Sequence, residues 1–308
     1  MEILVVSGGV SEERAVSICS GARVCEALRQ SGHKVHSVQV DRALPDAALL
    51  SRAKEVACVF LCLHGGTGEN GGWQAALEAA GVRHYTGSAP NASALAMDKP
   101  RAKARVAACG VPVAKGCVWR LGTSAPVLPY PFIVKPCNGG SSVGFAIVRN
   151  EDDLKKLHPS GDLLCEEYLP GREFSVAVYG DRALPAIEIR PRGGVYDYAH
   201  KYEIGASEEI CPAPLPAPQL ARLQDLSLVC FSVLGLRDYA RIDFKENAAG
   251  EPCFLEANTL PGMTATSLFP LAARTAGITM EALCDEIART GAKRKEMDEK
   301  GILDNRER

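Results

Sequence analysis

The chain has 308 residues, of which 46% are hydrophobic and 23% charged, with a formal net charge of -2. That length allows a large core and two or three domains. The balanced charge gives no basic surface for nucleic acid, and no apolar run approaches the ~20 residues that cross a bilayer.

The short apolar run at 3–6 predicts a buried strand, and Met1-Glu-Ile-Leu-Val-Val6 does not read as a signal peptide. Gly8-Gly-Val-Ser-Glu-Glu-Arg14 then turns into a helix, with Ser11 as the expected N-cap and Glu12 and Glu13 at the positive end of the dipole. Ala15, Ile18, Cys19, Ala22, Cys25 and Leu28 keep helical spacing, and Gly32 ends the element. Runs at 35–40 and 56–63 predict further strands. Alternation of strands with helices implies a parallel sheet in an N-terminal α/β domain, expected over 1–87. The glycine turn lacks the third glycine of G-x-G-x-x-G, which argues against a dinucleotide site. Twelve cysteines sit mostly in apolar settings with no C-x-x-C pair. They read as reduced, buried small side chains of a cytosolic protein rather than a zinc site or disulfide framework.

A central domain is expected over 88–180. It holds Met97-Asp-Lys99, a strand at 131–135, a Gly/Ser loop and strands at 143–148, 163–168 and 174–179, joined by short turns that predict an antiparallel sheet. The C-terminal domain, 181–308, carries helices at 216–234 and 279–289. Its charged tail at 293–300 reads as frayed.

Between those two helices lie Arg241-Ile-Asp-Phe-Lys245 and Phe254-Leu-Glu-Ala-Asn258, two strands of a hairpin. Side-chain alternation puts Arg241 and Asp243 on one face, with Glu256 and Asn258 likewise on one face, and sends Ile242, Phe244, Leu255 and Ala257 toward a core. Two carboxylates and an amide oxygen suit Mg²⁺. A solvated face with cross-strand charge pairs fits the same pattern. In Lys135-Pro-Cys-Asn-Gly-Gly-Ser-Ser-Val-Gly144, a lysine at a strand end leads into a loop whose backbone N–H groups and Ser141 and Ser142 hydroxyls can meet an anion. An unliganded glycine-rich hairpin is the plainer reading. It is not a Walker A loop, which requires G-x-x-x-x-G-K-[ST] and a following helix. With Lys99 and the acidic hairpin it points to one nucleoside-triphosphate site. Glu166 could accept from an adenine amino group and Glu173 from ribose hydroxyls, although each also reads as a surface acid.

Eight ordered blocks then carry a resemblance: Gly8-Gly-Val-Ser-Glu-Glu-Arg-Ala-Val-Ser17, Leu63-His-Gly-Gly-Thr-Gly-Glu-Asn-Gly71, Tyr85-Thr-Gly-Ser88, Met97-Asp-Lys99, Lys135-Pro with Gly140-Ser-Ser-Val-Gly144, Tyr196-Asp-Tyr-Ala-His-Lys-Tyr202, Arg241-Ile-Asp243 and Glu256-Ala-Asn-Thr-Leu-Pro-Gly-Met-Thr264. Together they closely resemble the D-alanine–D-alanine ligase family of the ATP-grasp superfamily. The resemblance implies a parallel α/β domain followed by two mixed or antiparallel sheet domains that sandwich ATP. It implies a cytoplasmic homodimer that joins two D-alanines for peptidoglycan synthesis, using ATP and two Mg²⁺ ions, with Mn²⁺ as a substitute. On that pattern Lys99, Lys135, Ser142, Glu166, Leu169, Glu173 and Lys201 bind ATP, and Asp243, Glu256 and Asn258 hold metal. Glu13 pairs with the ammonium of the first D-alanine and connects to Ser141 and Tyr202, which draw a lid shut, and Arg241 with the Gly262 N–H meets the oxyanion. Ser267 and the Leu268 N–H receive the second substrate, and His64 lies by the first or packs structurally. The chain departs from the family in a short segment at 114–131, an uncharged Cys137-Asn-Gly-Gly140, Thr266 for a histidine and Glu167 for a lysine. A D-Ala-D-Lac or D-Ala-D-Ser ligase, another ATP-grasp carboxylate–amine ligase, and a regulatory module without catalysis are the competing readings.

Overall fold

The structure, a computed structural model, describes residues 1–120, 122–140, 144–158, 161–191 and 207–299. β1 (Glu2–Gly8), α1 (Arg14–Gln30), β2 (Lys34–Val40), α2 (Ala47–Glu55) and β3 (Cys58–Leu61) form a three-stranded parallel sheet of order β2-β1-β3. β1 pairs on both edges and is buried from Ile3 to Gly8, which is why residues 3–6 are a continuous apolar run. Ser11 does not cap α1. Its hydroxyl instead donates to the His64 carbonyl at 2.5 Å, while its own carbonyl accepts the Arg14 N–H at 3.1 Å. Glu13 occupies the cap position with no side-chain cap bond. At the other end Gly32 has φ +80°, and the His33 N–H returns to the Leu28 carbonyl at 3.0 Å, as a glycine-terminated helix requires.

Next come α3 (Gly66–Glu69), α4 (Gly72–Ala79), α5 (Pro90–Met97) and α6 (Lys99–Ala107). The Asp98 carboxylate caps α6 by accepting the Arg101 N–H at 3.1 Å. β4 (Gly116–Trp119), β5 (Phe132–Pro136), β6 (Ala146–Val148), α7 (Glu151–Lys155) and β7 (Leu163–Glu167) follow, and the strands make a small antiparallel sheet of order β4-β7-β5-β6. The larger antiparallel sheet contains β8 (Glu173–Tyr179), β9 (Arg182–Ala183), β10 (Ile187–Pro191) and β11 (Ser207–Ile210). After α8 (Ala217–Val233) it is completed by β12 (Tyr239–Glu246) and β13 (Pro252–Asn258), in the order β11-β10-β8-β12-β13 with β9 on β8. α9 (Leu268–Thr275) and α10 (Met280–Glu299) close the described chain.

Four further expectations are corrected. β7 and β8, predicted in one sheet, separate: β8 lies between β10 and β12, where its buried residues are covered on both edges. Leu255 does not face the core with Ile242. A β-bulge between Asp243 and Phe244 pairs Phe244 with Phe254, so Phe254 enters the core and Leu255 turns toward the cavity beside Glu256. The tail does not fray at 293. α10 continues to Glu299 because Arg294 is buried and bidentate to Asp238 at 2.7 and 2.9 Å, while Lys295 reaches the carbonyls of Lys54 and Val56 at 3.0 and 2.9 Å. The cysteines are all free thiols, yet Cys19, Cys109 and Cys117 are exposed. Among the described residues, no helix is long and apolar enough to cross a membrane.

Candidate active site

A cavity of about 550 Å³ lies between the two antiparallel sheets, with residues of the N-terminal domain at one end. The small sheet contributes Lys135 and Glu166, followed by Leu169 on the connection to β8. The large sheet contributes Glu173, Arg241, Asp243, Lys245, Glu256 and Asn258, and Lys99 enters from the start of α6. Glu13 and His64 come from the N-terminal domain, and Gly262, Ser267 and Leu268 from the loop and helix after β13. Every described residue singled out in the sequence therefore lines one wall. Ser141, Ser142, Lys201 and Tyr202 lie outside the described residues.

Acids and bases interleave here. Glu166 is almost fully buried and accepts from Lys103 Nζ at 2.7 Å and Lys135 Nζ at 2.8 Å. Burial alone would raise its pKa, but the two ammonium groups outweigh burial and hold the carboxyl below its usual range. Lys103 also donates to the Phe254 carbonyl at 3.0 Å, and burial, reinforced by Lys135, pulls its amine down to about 8. Lys99 donates from Nζ to the Gly139 carbonyl and lies 3.5 Å from Glu256, while its backbone N–H reaches the Cys137 carbonyl at 3.0 Å. The Gly/Ser loop is thus tied to α6. Glu173 pairs with Lys245 at 3.1 Å.

On β12, Arg241 forks onto Asp243 through Nε and Nη2 at 3.0 and 2.9 Å. Ser175 donates to Oδ1 of that carboxylate at 2.7 Å, and Asn258 Nδ2 donates to Oδ2 at 3.0 Å. Glu256 stands opposite Asp243 in the pairing register, and Asn258 opposite Arg241. Among the described residues, no three His, Cys, Asp or Glu side chains form a metal-binding group. The donors that do converge, two carboxylates and an amide, are the hard oxygens that fit Mg²⁺ with substrate phosphates and water as its other ligands.

At the N-terminal end a Cβ on Gly65 would lie 2.7 Å from Glu13 Oε2, and one on Gly140 3.7 Å from it, so the carboxylate nestles between two glycines. The His64 ring is buried. Its Nδ1 meets the Leu260 carbonyl at 2.9 Å, and since that oxygen only accepts, Nδ1 carries the proton. Nε2 faces the Ser20 hydroxyl at 2.9 Å. Burial pushes the imidazole pKa down, opposed by Glu13. Ser267 Oγ accepts the Thr264 N–H at 3.0 Å. Its contact with Gly262 is tight: a Cβ on that glycine would lie 2.6 Å from Oγ.

Five site residues escaped the sequence reading. Lys103 is four residues beyond Lys99 on one helix face, a spacing that was legible. Lys245 follows Arg241 and Asp243 in strand alternation and was equally visible. Glu69 lies inside the quoted glycine motif, yet nothing local announces its burial. Ser175 reaches Asp243, and Ser20 reaches His64, only through tertiary pairing.

A sequence profile described as "D-ala D-ala ligase C-terminus" matches residues 122–289. The chain is 42% identical over 295 residues to a D-alanine–D-alanine ligase of Granulibacter bethesdensis, covering 92% of this chain and 95% of that protein. It is 43% identical over 296 residues to the enzyme of that name from Geobacter sulfurreducens, covering 93% and 92%. Among solved structures, D-alanine–D-alanine ligase from Bacillus anthracis complexed with ATP superposes with TM-score 0.84 at 29% identity, over 97% of this chain and 99% of that one. The shared fold, a parallel N-terminal sheet and two antiparallel sheets around a common cleft, is the ATP-grasp fold, and the chain belongs to the D-alanine–D-alanine ligase family.

Proposed function

We propose that the protein joins two D-alanines into D-alanyl-D-alanine at the expense of ATP, through an acyl phosphate, for peptidoglycan precursor synthesis. The observation that carries this reading is the convergence of Lys99, Lys135, Asp243, Glu256, Glu13 and Gly262 on one cavity. Phosphoryl transfer depends chiefly on positioning and charge neutralisation, which such a wall provides.

In the first step a carboxylate oxygen of one D-alanine bonds to the γ-phosphorus and the bond to ADP breaks. Lys99 and Lys135 take the phosphate charge, and Lys201 joins them on the family pattern. Glu13 holds the substrate ammonium in its slot beside Gly65 and Gly140. Asp243, Glu256 and Asn258 would hold Mg²⁺, which when bound supplies charge neutralisation at the phosphates. Glu166 and Glu173 face the adenine and ribose, with Leu169 packing at the base. In the second step the amine of the other D-alanine attacks the acyl carbon, and phosphate departs. Arg241 and the Gly262 N–H receive the charge that develops on the carbonyl oxygen. Ser267 and the Leu268 N–H hold the incoming carboxylate. On the family pattern Ser141 and Tyr202 would join Glu13 in closing the site, and closure protects the acyl phosphate from water. Family resemblance also supports a cytoplasmic homodimer, to be checked by light scattering on the purified protein.

Phosphate release with Mg-ATP tests the reading across D-alanine, D-serine, D-lactate and L-alanine. D-Alanine should drive release and yield the dipeptide. Release that ignores D-alanine, or a clear preference for another second substrate, overturns it.

A further inference from the structure

The Gly262 N–H donor sits on a loop that leaves the large sheet after β13, yet the groups gripping that loop belong to the N-terminal domain. The Glu69 carboxylate accepts the Leu260 N–H at 3.2 Å with one oxygen and the Gly65 N–H at 2.8 Å with the other. The Thr259 hydroxyl donates to the Glu69 backbone carbonyl at 3.4 Å. His64 Nδ1–H donates to the Leu260 carbonyl at 2.9 Å. The Ser20 hydroxyl donates to His64 Nε2 at 2.9 Å and accepts the Met263 N–H at 3.1 Å. Both backbone polar groups of Leu260 and the Met263 N–H are therefore fixed by three buried side chains. Pro261 has no N–H, so Gly262 is the remaining backbone donor of this four-residue turn.

We infer that Glu69 is a positioning residue for the ligation step: with His64 and Ser20 it clamps residues 260–263 so that the Gly262 N–H points where the oxyanion forms. The inference rests on the ligase reading above and adds a residue to it. A carboxylate is an expensive acceptor at this depth. Burial first, and the facing Glu13 second, push its pKa up to about 7, against the opposing pull of the two N–H donors and Arg241. Among the described residues that hydrogen-bond this loop, His64 is the other titratable group. A neutral amide would satisfy the Leu260 N–H without that cost but could not accept from Gly65 as well. The two oxygens of the acid let one side chain join a turn of the N-terminal domain to a turn of the catalytic one. Donors set in advance at a developing charge lower the barrier, whereas loosened donors act only after reorganisation.

The test compares Glu69→Ala, Glu69→Gln and Ser20→Ala with the wild-type enzyme in steady-state phosphate release, alongside ATP binding without D-alanine. Glu69→Ala should lower kcat about 10- to 100-fold, the scale of a misplaced oxyanion donor, with KM and Kd for ATP within about twofold. Glu69→Gln, which keeps an acceptor for Leu260 and the shape of the side chain, should recover a large part of the loss. Ser20→Ala should lower kcat in the same selective way. A normal kcat in Glu69→Gln and Ser20→Ala together with Glu69→Ala overturns the clamp. So does a loss of ATP binding equal to the loss of kcat, which marks a general structural role. If Glu69→Ala does not fold, Ser20→Ala decides: a selective fall in kcat supports the clamp and a normal kcat overturns it. A wild-type enzyme with no D-alanine-dependent turnover instead overturns the ligase reading itself.

Discussion

Replacing Gly262 by alanine perturbs the site by one methyl group whose surroundings are known. The new Cβ would lie 2.6 Å from Ser267 Oγ and 3.5 Å from Ser267 Cβ. The second contact is ordinary; the first is too close to persist. Either the serine rotates or the turn moves. Rotation breaks the bond from the Thr264 N–H at 3.0 Å and the contact with Thr264 Oγ1 at 2.8 Å, costing about 2 kcal/mol at roughly 1 kcal/mol per bond. Moving the turn strains the bonds that hold Leu260 and Met263 and shifts the Gly262 N–H by several tenths of an ångström. Loss of one oxyanion donor costs on the order of 10²–10³ in kcat, so Gly262→Ala should lose a sizeable part of that. Steady-state phosphate release against D-alanine measures it. The double variant Gly262→Ala/Ser267→Ala removes the clashing oxygen and should turn over nearly as fast as Ser267→Ala alone. A normal kcat in Gly262→Ala, or simple additivity in the double variant, refutes the steric argument.

Lys103→Met leaves Glu166 with Lys135 as its remaining lysine partner, and should raise KM for ATP about tenfold while changing kcat less; an unchanged KM removes Lys103 from the adenine end. The same variant tests linkage. The native Lys103 amine has its pKa pulled down to about 8 from its ordinary 10.5, so between those values the unfolded chain binds more protons and this group's contribution to stability rises with pH. Urea unfolding should show the wild-type-minus-variant difference increasing across that window, and a flat difference contradicts it. Arg294→Met strands the buried Asp238 carboxylate and should cost about 3–5 kcal/mol in urea unfolding, while KM values of the folded enzyme stay near wild type; a loss under about 1 kcal/mol would be inconsistent with the buried pair. Chelation of divalent ions should stop D-alanine-dependent phosphate release, and Asp243→Asn should raise the Mg²⁺ concentration for half-maximal rate; an unaltered requirement removes Asp243 from the metal set.

Local periodicity carried much of this molecule. The apolar run of β1 and the polar face holding Arg241 and Asp243 are properties of neighbours in sequence, and the structure retains them. The helix read from Ala15 to Leu28 also forms, but it buries Ser17, Ser20, Gly21 and Val24 and leaves Ala15, Cys19 and Ala22 exposed, because the two serine hydroxyls reach Gly8, Cys62 and His64 across the fold. Where alternation failed, at Leu255, one bulge residue changed the phase of the strand, and no local residue type marks that insertion. Sheet membership of β8 depends on β12, which lies some sixty residues later in the chain. The α10 tail looked solvated because charge in sequence resembles charge in water; only the carbonyls of Lys54, Val56 and Tyr85, far away in the chain, show where its cations go. Glu69 and Ser175 belong to the same class. Each is an ordinary polar residue until tertiary pairing buries it.

The charge of the cavity wall ties these details to the chemistry. Among the described lining residues, Glu13, Glu69, Glu166, Glu167, Glu173, Glu209, Asp243 and Glu256 stand against Lys99, Lys135, Arg241 and Lys245. Lys103 lies directly behind Glu166 and offsets one more acid. All four lining cations already have a carboxylate within 3.5 Å: Lys99 with Glu256, Lys135 with Glu166, Arg241 with Asp243 and Lys245 with Glu173. Such pairing keeps four basic groups from repelling one another in a narrow cleft. It also means that a triphosphate entering this wall meets more negative than positive charge. The described lysines alone would not reverse that balance. Divalent cations would, because the acids that repel phosphate are the ones that attract metal, and Asp243 and Glu256 face each other across neighbouring strands. The acidic excess, a drawback for nucleotide alone, therefore favours nucleotide arriving with its metal ions, and it predicts that affinity for ATP falls steeply when Mg²⁺ is withheld.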